Sequence, residues 1–304
     1  MPLLYLAKVN LNSKIYDVYN QTLDLNSVFD TIYKNIWRNT DYITKDSEKY
    51  NDSLGNPIHY IKELIYSFQE MHNESDGIIT GKLVRTYNKP SEKLDYNTQK
   101  MIPCFVKESA SINFYYDVNK EMITFCERQT FGYKQFLNAF THLLNKNISE
   151  YNFEIFLQKN RDVLEEKINS FHTVKKVKAT LIPPNSNYDD LQELQNELEY
   201  MKQCKDTNAT KLSLEYSSDN MDMESKTMKD IRIAVSRGYG DIALSGINKN
   251  GKQQTIRSSS DAAYTVNIQE NISTKDFHKE SSYLILQFWN KFVNKKSNIK
   301  KGIS

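Results

Sequence analysis

The sequence predicts an α+β protein, a mixed and largely antiparallel sheet with helices packed on it. Three observations support this. Beyond residue 102, short apolar runs alternate with stretches in which apolar residues recur every three to four positions. Two junctions carry hairpin turns, Asn119-Lys120 and Asn248-Lys249-Asn250-Gly251. Only 9 Gly and 6 Pro punctuate 304 residues, too few for low-complexity linkers.

The elements follow in order. Residues 3–11 are a strand whose two faces are both partly apolar, as in an inner strand. Residues 27–37 are a helix with Val28, Ile32 and Ile36 on one stripe. Residues 38–56 are polar and read as a loop, and 57–71 fit either strand or helix. Asp76-Gly77 opens a strand over 78–87, and 88–101 read as an exposed excursion. Residues 110–118 and 121–127 form a hairpin, and 131–146 a helix carrying Phe136, Phe140, Leu143 and Leu144. A strand over 151–158 precedes Asn160, which caps a helix bearing Val163, Leu164, Ile168 and Phe171.

The strand over 174–182 stops at Pro183-Pro184. Residues 185–187 then cap a helix with Leu191, Leu194, Leu198 and Met201, and Asp189 and Asp190 suit the positive end of its dipole. A strand over 210–216, an acidic turn over 219–224 and a helix over 226–236 follow. Gly238 closes that helix. Residues 239–247 and 253–257 form a hairpin, 263–268 a last strand and 280–292 the final helix. A composition break near 88–102 divides the chain into an N-terminal portion, 1–102, and a core, 103–304, unless the two form one continuous domain.

Composition bounds the function. Hydrophobic residues make up 39% and charged residues 26%, which excludes wholesale disorder. The three cysteines, Cys104, Cys126 and Cys204, are an odd number with no C-x-x-C spacing, as expected for reduced thiols. No basic region precedes the short apolar start, and no run approaches the ~20 apolar residues that span a bilayer. The expected location is cytoplasmic, with no membrane partner. The net charge is +2, but residues 285–304 carry five lysines and no acid, so the rest of the chain sums to −3. Residues 189–224 hold ten acids and three lysines, and would face away from nucleic acid.

Catalytic motifs are absent or incomplete. Gly77-x-x-x-Gly81-Lys82 is one residue short of a phosphate loop, and Leu83 replaces the hydroxyl that would hold Mg²⁺. No two of the five histidines stand four apart, and no Gly-x-Ser-x-Gly elbow occurs. Glu154 lies on a predicted strand, but Lys159 follows it by five residues and not by the two of a metal-dependent nuclease. Arg257-Ser258-Ser259-Ser260-Asp261 is a hydroxyl run after a strand. It would hold a phosphate or a base edge, or else satisfy its own backbone as a turn.

Three segments carry a family resemblance. They are residues 113–127 with the helix over 133–144, residues 179–185 with the acidic helix after them, and residues 239–259. Together they resemble an uncharacterised bacterial domain-of-unknown-function family found in mobile or anti-phage gene neighbourhoods. The resemblance implies a context, defence against phage, and supplies no catalytic residues.

The expected function is therefore a cytoplasmic component of a bacterial anti-phage system that binds nucleic acid or a partner protein. Arg237, Lys249, Lys252, Arg257, Lys295, Lys296, Lys300 and Lys301 would neutralise phosphate, and Tyr239 would stack on a base. A second reading is a nuclease or toxin effector with Glu154 and Asp241 as acids and Mg²⁺ as its cofactor. A third is a pure protein-interaction subunit. Outside the nuclease reading no cofactor is expected.

Overall fold

The first strand organises the molecule. In the computed structural model, which describes residues 2–37, 39–51, 55–128, 130–185 and 198–292, β1 (Leu3–Leu11) is used on both edges. One edge pairs with β6 (Met122–Cys126). The other is shared end to end by β12 (Thr265–Asn267) and β7 (Phe153–Leu157). Beyond β6 the sheet continues through β5 (Lys100–Asp117), β4 (Ile78–Asp95), β3 (Pro57–Asn73) and β2 (Tyr42–Asn51). The result is an eight-stranded antiparallel sheet.

Alternation along β1 then sends its side chains to different partners. Tyr5, Ala7, Val9 and Leu11 join a core under α2 (Leu25–Asn35) and α3 (Tyr133–Asn147). That core is aromatic at its centre, where Phe140 lies 4.9 to 6.3 Å from Phe68, Phe114, Phe136 and Tyr116. The short α1 (Ile15–Tyr19) follows β1 and buries Ile15 and Val18. On the opposite face Leu4 and Leu6 meet Phe277, Leu284, Ile285 and Phe288 of α8 (Thr274–Phe292). This helix starts six residues before the predicted 280, because Ser273 Oγ accepts from Asp276 N at 3.1 Å and caps it.

A second sheet has the order β11 (Gln253–Arg257), β10 (Gly240–Asn248), β8 (Phe171–Leu181), β9 (Leu212–Ser217), again antiparallel throughout. One face carries Val177, Ala179, Leu181, Ile242, Leu244 and Ile256 into a core with α4 (Arg161–Asn169), α5 (Glu199–Thr207) and α6 (Lys226–Ser236). Asn160 caps α4 as predicted, accepting from Asp162 N at 3.1 Å and Val163 N at 3.3 Å. Eight helices and twelve strands among the described residues make the α+β fold.

Some local readings differ. The predicted loop over 38–56 contains β2, and the excursion over 88–101 is the far part of the β4–β5 hairpin. Both stretches are polar because neither sheet face is buried there, so the alternation that reveals a strand is missing. Cross-strand pairs such as Lys45–Glu63 at 2.7 Å take the place of a core. Phe171 opens β8 and is not part of α4. In the β5–β6 turn the positive φ falls on Glu121, at 57°, and not on Asn119. The predicted cap at 186–187 and helix positions Asp189, Asp190, Leu191 and Leu194 lie outside the described residues.

Candidate functional site

Two lysines are buried where the sheets meet. Lys8 continues the Leu4–Leu6 face of β1, and it meets the α6–β10 corner at Tyr239. Its Nζ lies 3.4 Å from Glu121 Oε2 and 4.8 Å from the centre of the Tyr239 ring. Asn185 donates to the other Glu121 oxygen. Lys8 and Glu121 are 5% and 2% exposed. Burial opposes the lysine's charge, but Tyr239 and Glu121 outweigh it, so its pKa stands above the usual value. Asn10 Nδ2 donates to Gly238 O at 3.1 Å and ties β1 to the same corner. Gly238 ends α6 at a φ of 79°, and a Cβ there would lie 2.7 Å from Gln158 Nε2.

Lys159 is the second buried lysine. It follows β7, which holds it against the start of β10. Its Nζ donates to Leu157 O and lies 2.8 Å from Asp241 Oδ1. Ser258 Oγ donates to the same oxygen at 3.0 Å and accepts from Ile242 N at 3.0 Å. The lysine is fully buried, whereas Asp241 is 37% exposed. Burial pulls the lysine's pKa down and Asp241 pulls it part of the way back. Gly240 lets β10 approach β8 here, since a Cβ would sit 2.1 Å from Thr180 O.

Asp241 looks onto the face of the second sheet that its helices leave uncovered. This face alternates with the core face, so it presents Lys176, Lys178, Ser245, Thr255 and Arg257, all half-buried or exposed. Ala243 pairs with Lys178 on one side and Arg257 on the other. Two strand spacings therefore set these cations about 10 Å apart. Asp241 lies two residues along the same strand. Glu215 on β9 pairs with Lys176 at 2.5 Å and Lys178 at 3.0 Å, and these lysines lower its pKa. The exposed Arg257 has no ion-pair partner among the described residues.

The sequence-derived candidates are only partly brought together. Asp241 and Arg257 share the open face. Lys249 and Lys252 are exposed in the β10–β11 turn, at the far end of β10, about 25 Å from Asp241 by strand rise. Arg237 is exposed at the C-cap of α6. Tyr239 is 2% exposed. Covered by Lys8, its ring has no open face for a base, which corrects the stacking role expected for it. Glu154 pairs with Lys211 at 2.8 Å, near the end of β7 opposite Lys159, so it forms no acid pair with Asp241. Among the described residues no group of three or more His, Cys, Asp or Glu could hold a metal ion. Lys295, Lys296, Lys300 and Lys301 lie outside the described residues.

The hydroxyl run takes up the turn reading and bonds within the chain. The short α7 (Ser258–Asp261) is self-satisfied at its end, since Asp261 accepts from Arg257 N at 2.7 Å. Ser258 instead orients Asp241. Sequence reasoning missed Lys176 and Lys178, although their alternation with Val177 and Ala179 marks a face of cations. Glu127, one of the family-like positions, accepts from Tyr5 Oη at 2.7 Å and from Tyr133 N at 3.1 Å, and so holds the first turn of α3. A cavity of about 840 Å³ beside it is lined by Leu3, Arg128, Glu270 and Phe277.

Residues 28–284 match the family described as Domain of unknown function (DUF4747). The chain belongs to the DUF4747 family. The match runs from α2 into α8, so the open face and Lys159 lie inside the DUF4747 region, whereas β1 with Lys8 precedes it. No curated protein matches the chain. No helix among the described residues is long and apolar enough to cross a membrane.

Proposed function

We propose that this DUF4747 protein binds single-stranded nucleic acid on the open face of its second sheet, as a cytoplasmic component of a bacterial anti-phage system. The observation that carries the binding reading is the placement of Arg257 and Lys178 on either side of Ala243, with Asp241 beside them. The two cations suit backbone phosphates. Asp241 has one oxygen fixed by Lys159 and Ser258, and offers the other to a base-edge N–H. An open sheet suits unstacked bases better than a duplex. The defence setting is supported by the family resemblance.

The face carries hydroxyls in place of aromatics, so phosphate charge supplies the affinity. Glu215 offsets one of the charges of Lys176 and Lys178, so with Arg257 two net cations give a slope of log affinity against log salt of about −1.4 for a single strand. Affinity then falls about 7-fold between about 50 and 200 mM salt. Fluorescence anisotropy with labelled short single-stranded RNA and DNA tests this. Arg257→Glu is expected to weaken binding and flatten the slope by about 0.7. Absence of binding at about 50 mM salt, where phosphate contacts are strong, would refute the proposal.

A further inference from the structure

The outer edge of β5 is open. β6 pairs with β5 only from Phe114 to Asp117. Among the described residues nothing pairs with that edge over 100–110. On its inner side β5 pairs with β4 without a register shift from Asp95↔Lys100 to Ile78↔Asp117, so no bulge turns the strand away. This stretch also holds apolar side chains in water: Met101 is 51% exposed, Ile102 36%, Phe105 54% and Val106 47%. A long, straight, apolar edge is a template for another strand.

We propose that the β5 edges of two copies of this chain pair antiparallel across a two-fold axis at Cys104, making a homodimer through one continuous sheet. The sequence around Cys104 is self-complementary in that register. A two-fold places each residue opposite the one equally far beyond the axis. Lys100 then faces Glu108, Ile102 faces Val106 and Cys104 faces its own copy, all on one side of the sheet. On the other side Met101 faces Lys107, and Pro103 faces Phe105.

Neighbouring centres lose this match. About Pro103, Lys100 would face Val106; about Phe105, Glu108 would face Ile102. Lys100 has no ion-pair partner among the described residues. Glu108 already accepts from Tyr87 Oη at 2.7 Å and Lys89 Nζ at 3.1 Å, and retains lone pairs for a third donor. Pro103 lacks an N–H, and Lys100 and Lys107 are charged, which are features that discourage indiscriminate edge pairing. In the proposed register Lys100 meets a carboxylate and Lys107 a thioether, and the backbone groups of the odd-numbered residues face the open edge, so Pro103 accepts from the opposing Phe105 N–H but returns no donor on either side of the axis.

The test uses the full-length protein. Sedimentation equilibrium is expected to show a concentration-dependent rise from 35.6 kDa to twice that mass. Directly opposed residues have Cα atoms about 4.5–5.5 Å apart, within the span of a disulfide. Mild oxidation should therefore give a covalent dimer that Cys104→Ser abolishes. Lys100→Glu sets like charges opposite each other twice per dimer, and should weaken association about tenfold. The swap K100E/E108K should recover most of the loss, which a merely misfolded variant would not do. A monomer at the highest soluble concentration overturns the proposal. So does a dimer indifferent to Lys100→Glu, a swap that fails to rescue, or no crosslink through Cys104.

Discussion

Lys159 and Asp241 form one ion pair, yet the two ends should respond very differently to mutation. The lysine is fully buried and the aspartate is 37% exposed. Asp241→Asn strands a buried ammonium. Removing one partner of a buried pair costs about 3–5 kcal/mol. A ceiling also applies, because the lysine can give up its proton: from an ordinary pKa near 10.4, neutralisation at pH 7 costs about 4.6 kcal/mol. We expect a loss of about 3 kcal/mol. Lys159→Met instead removes the desolvation cost and leaves a carboxylate that water still reaches, so it should stay within about 1 kcal/mol of wild type. The double variant K159M/D241N should match K159M alone.

The pH dependence follows from the same pair. A lysine whose folded pKa is depressed binds its proton more weakly in the folded state than in the unfolded one. Its contribution to stability therefore rises as pH climbs from the folded value towards 10.4. Raising the pH to 9.5 lowers the ceiling on the Asp241→Asn loss to about 1.2 kcal/mol. Urea unfolding followed by circular dichroism at the two pH values measures each quantity. A Lys159→Met loss as large as that of Asp241→Asn would refute the reasoning, as would an Asp241→Asn loss unchanged at high pH.

Phe140→Ala should be the costlier kind of core change, about 3–5 kcal/mol, because its fully buried ring is surrounded by Phe68, Phe114, Tyr116 and Phe136. A shift in urea midpoint corresponding to less than about 2 kcal/mol would mean that the surrounding rings collapse into the space. Asn160→Ala removes the acceptor for two backbone N–H groups of α4 and should cost about 1 kcal/mol at an unchanged urea m-value. Asn160→Asp keeps that acceptor and should restore most of the loss.

The local elements were legible wherever one face is buried. β1, the β5–β6 and β10–β11 hairpins, α3, the Asn160 cap and the whole of α6 carry a period or a cap that short-range chemistry imposes. The strand β2 and the far half of the β4–β5 hairpin did not, because their side chains alternate against solvent on both faces and their pairing partners are set by the neighbouring strands. The site was less legible than the fold. Asp241 and Arg257 stand sixteen positions apart and come together because β11 returns beside β10. Lys249 and Lys252 share a sequence neighbourhood with them but sit at the other end of that hairpin. Tyr239 stands next to a Gly-Asp turn that suggests exposure, yet β1 covers it.

The sequence alone thus determined the α+β class, most helices and the turns, since these depend on periodicity, caps and glycine placed within a few residues. It also placed the chain near an uncharacterised family. Only the tertiary structure decided which polar residues are buried and which are presented. Lys8, Glu121, Lys159 and Ser258 look like surface residues in the sequence, but the meeting of two sheets encloses them. Lys176, Lys178, Asp241 and Arg257 become one face because three strands, β8, β10 and β11, lie side by side. Burial and adjacency of this kind come from long-range pairing, and no local pattern encodes them.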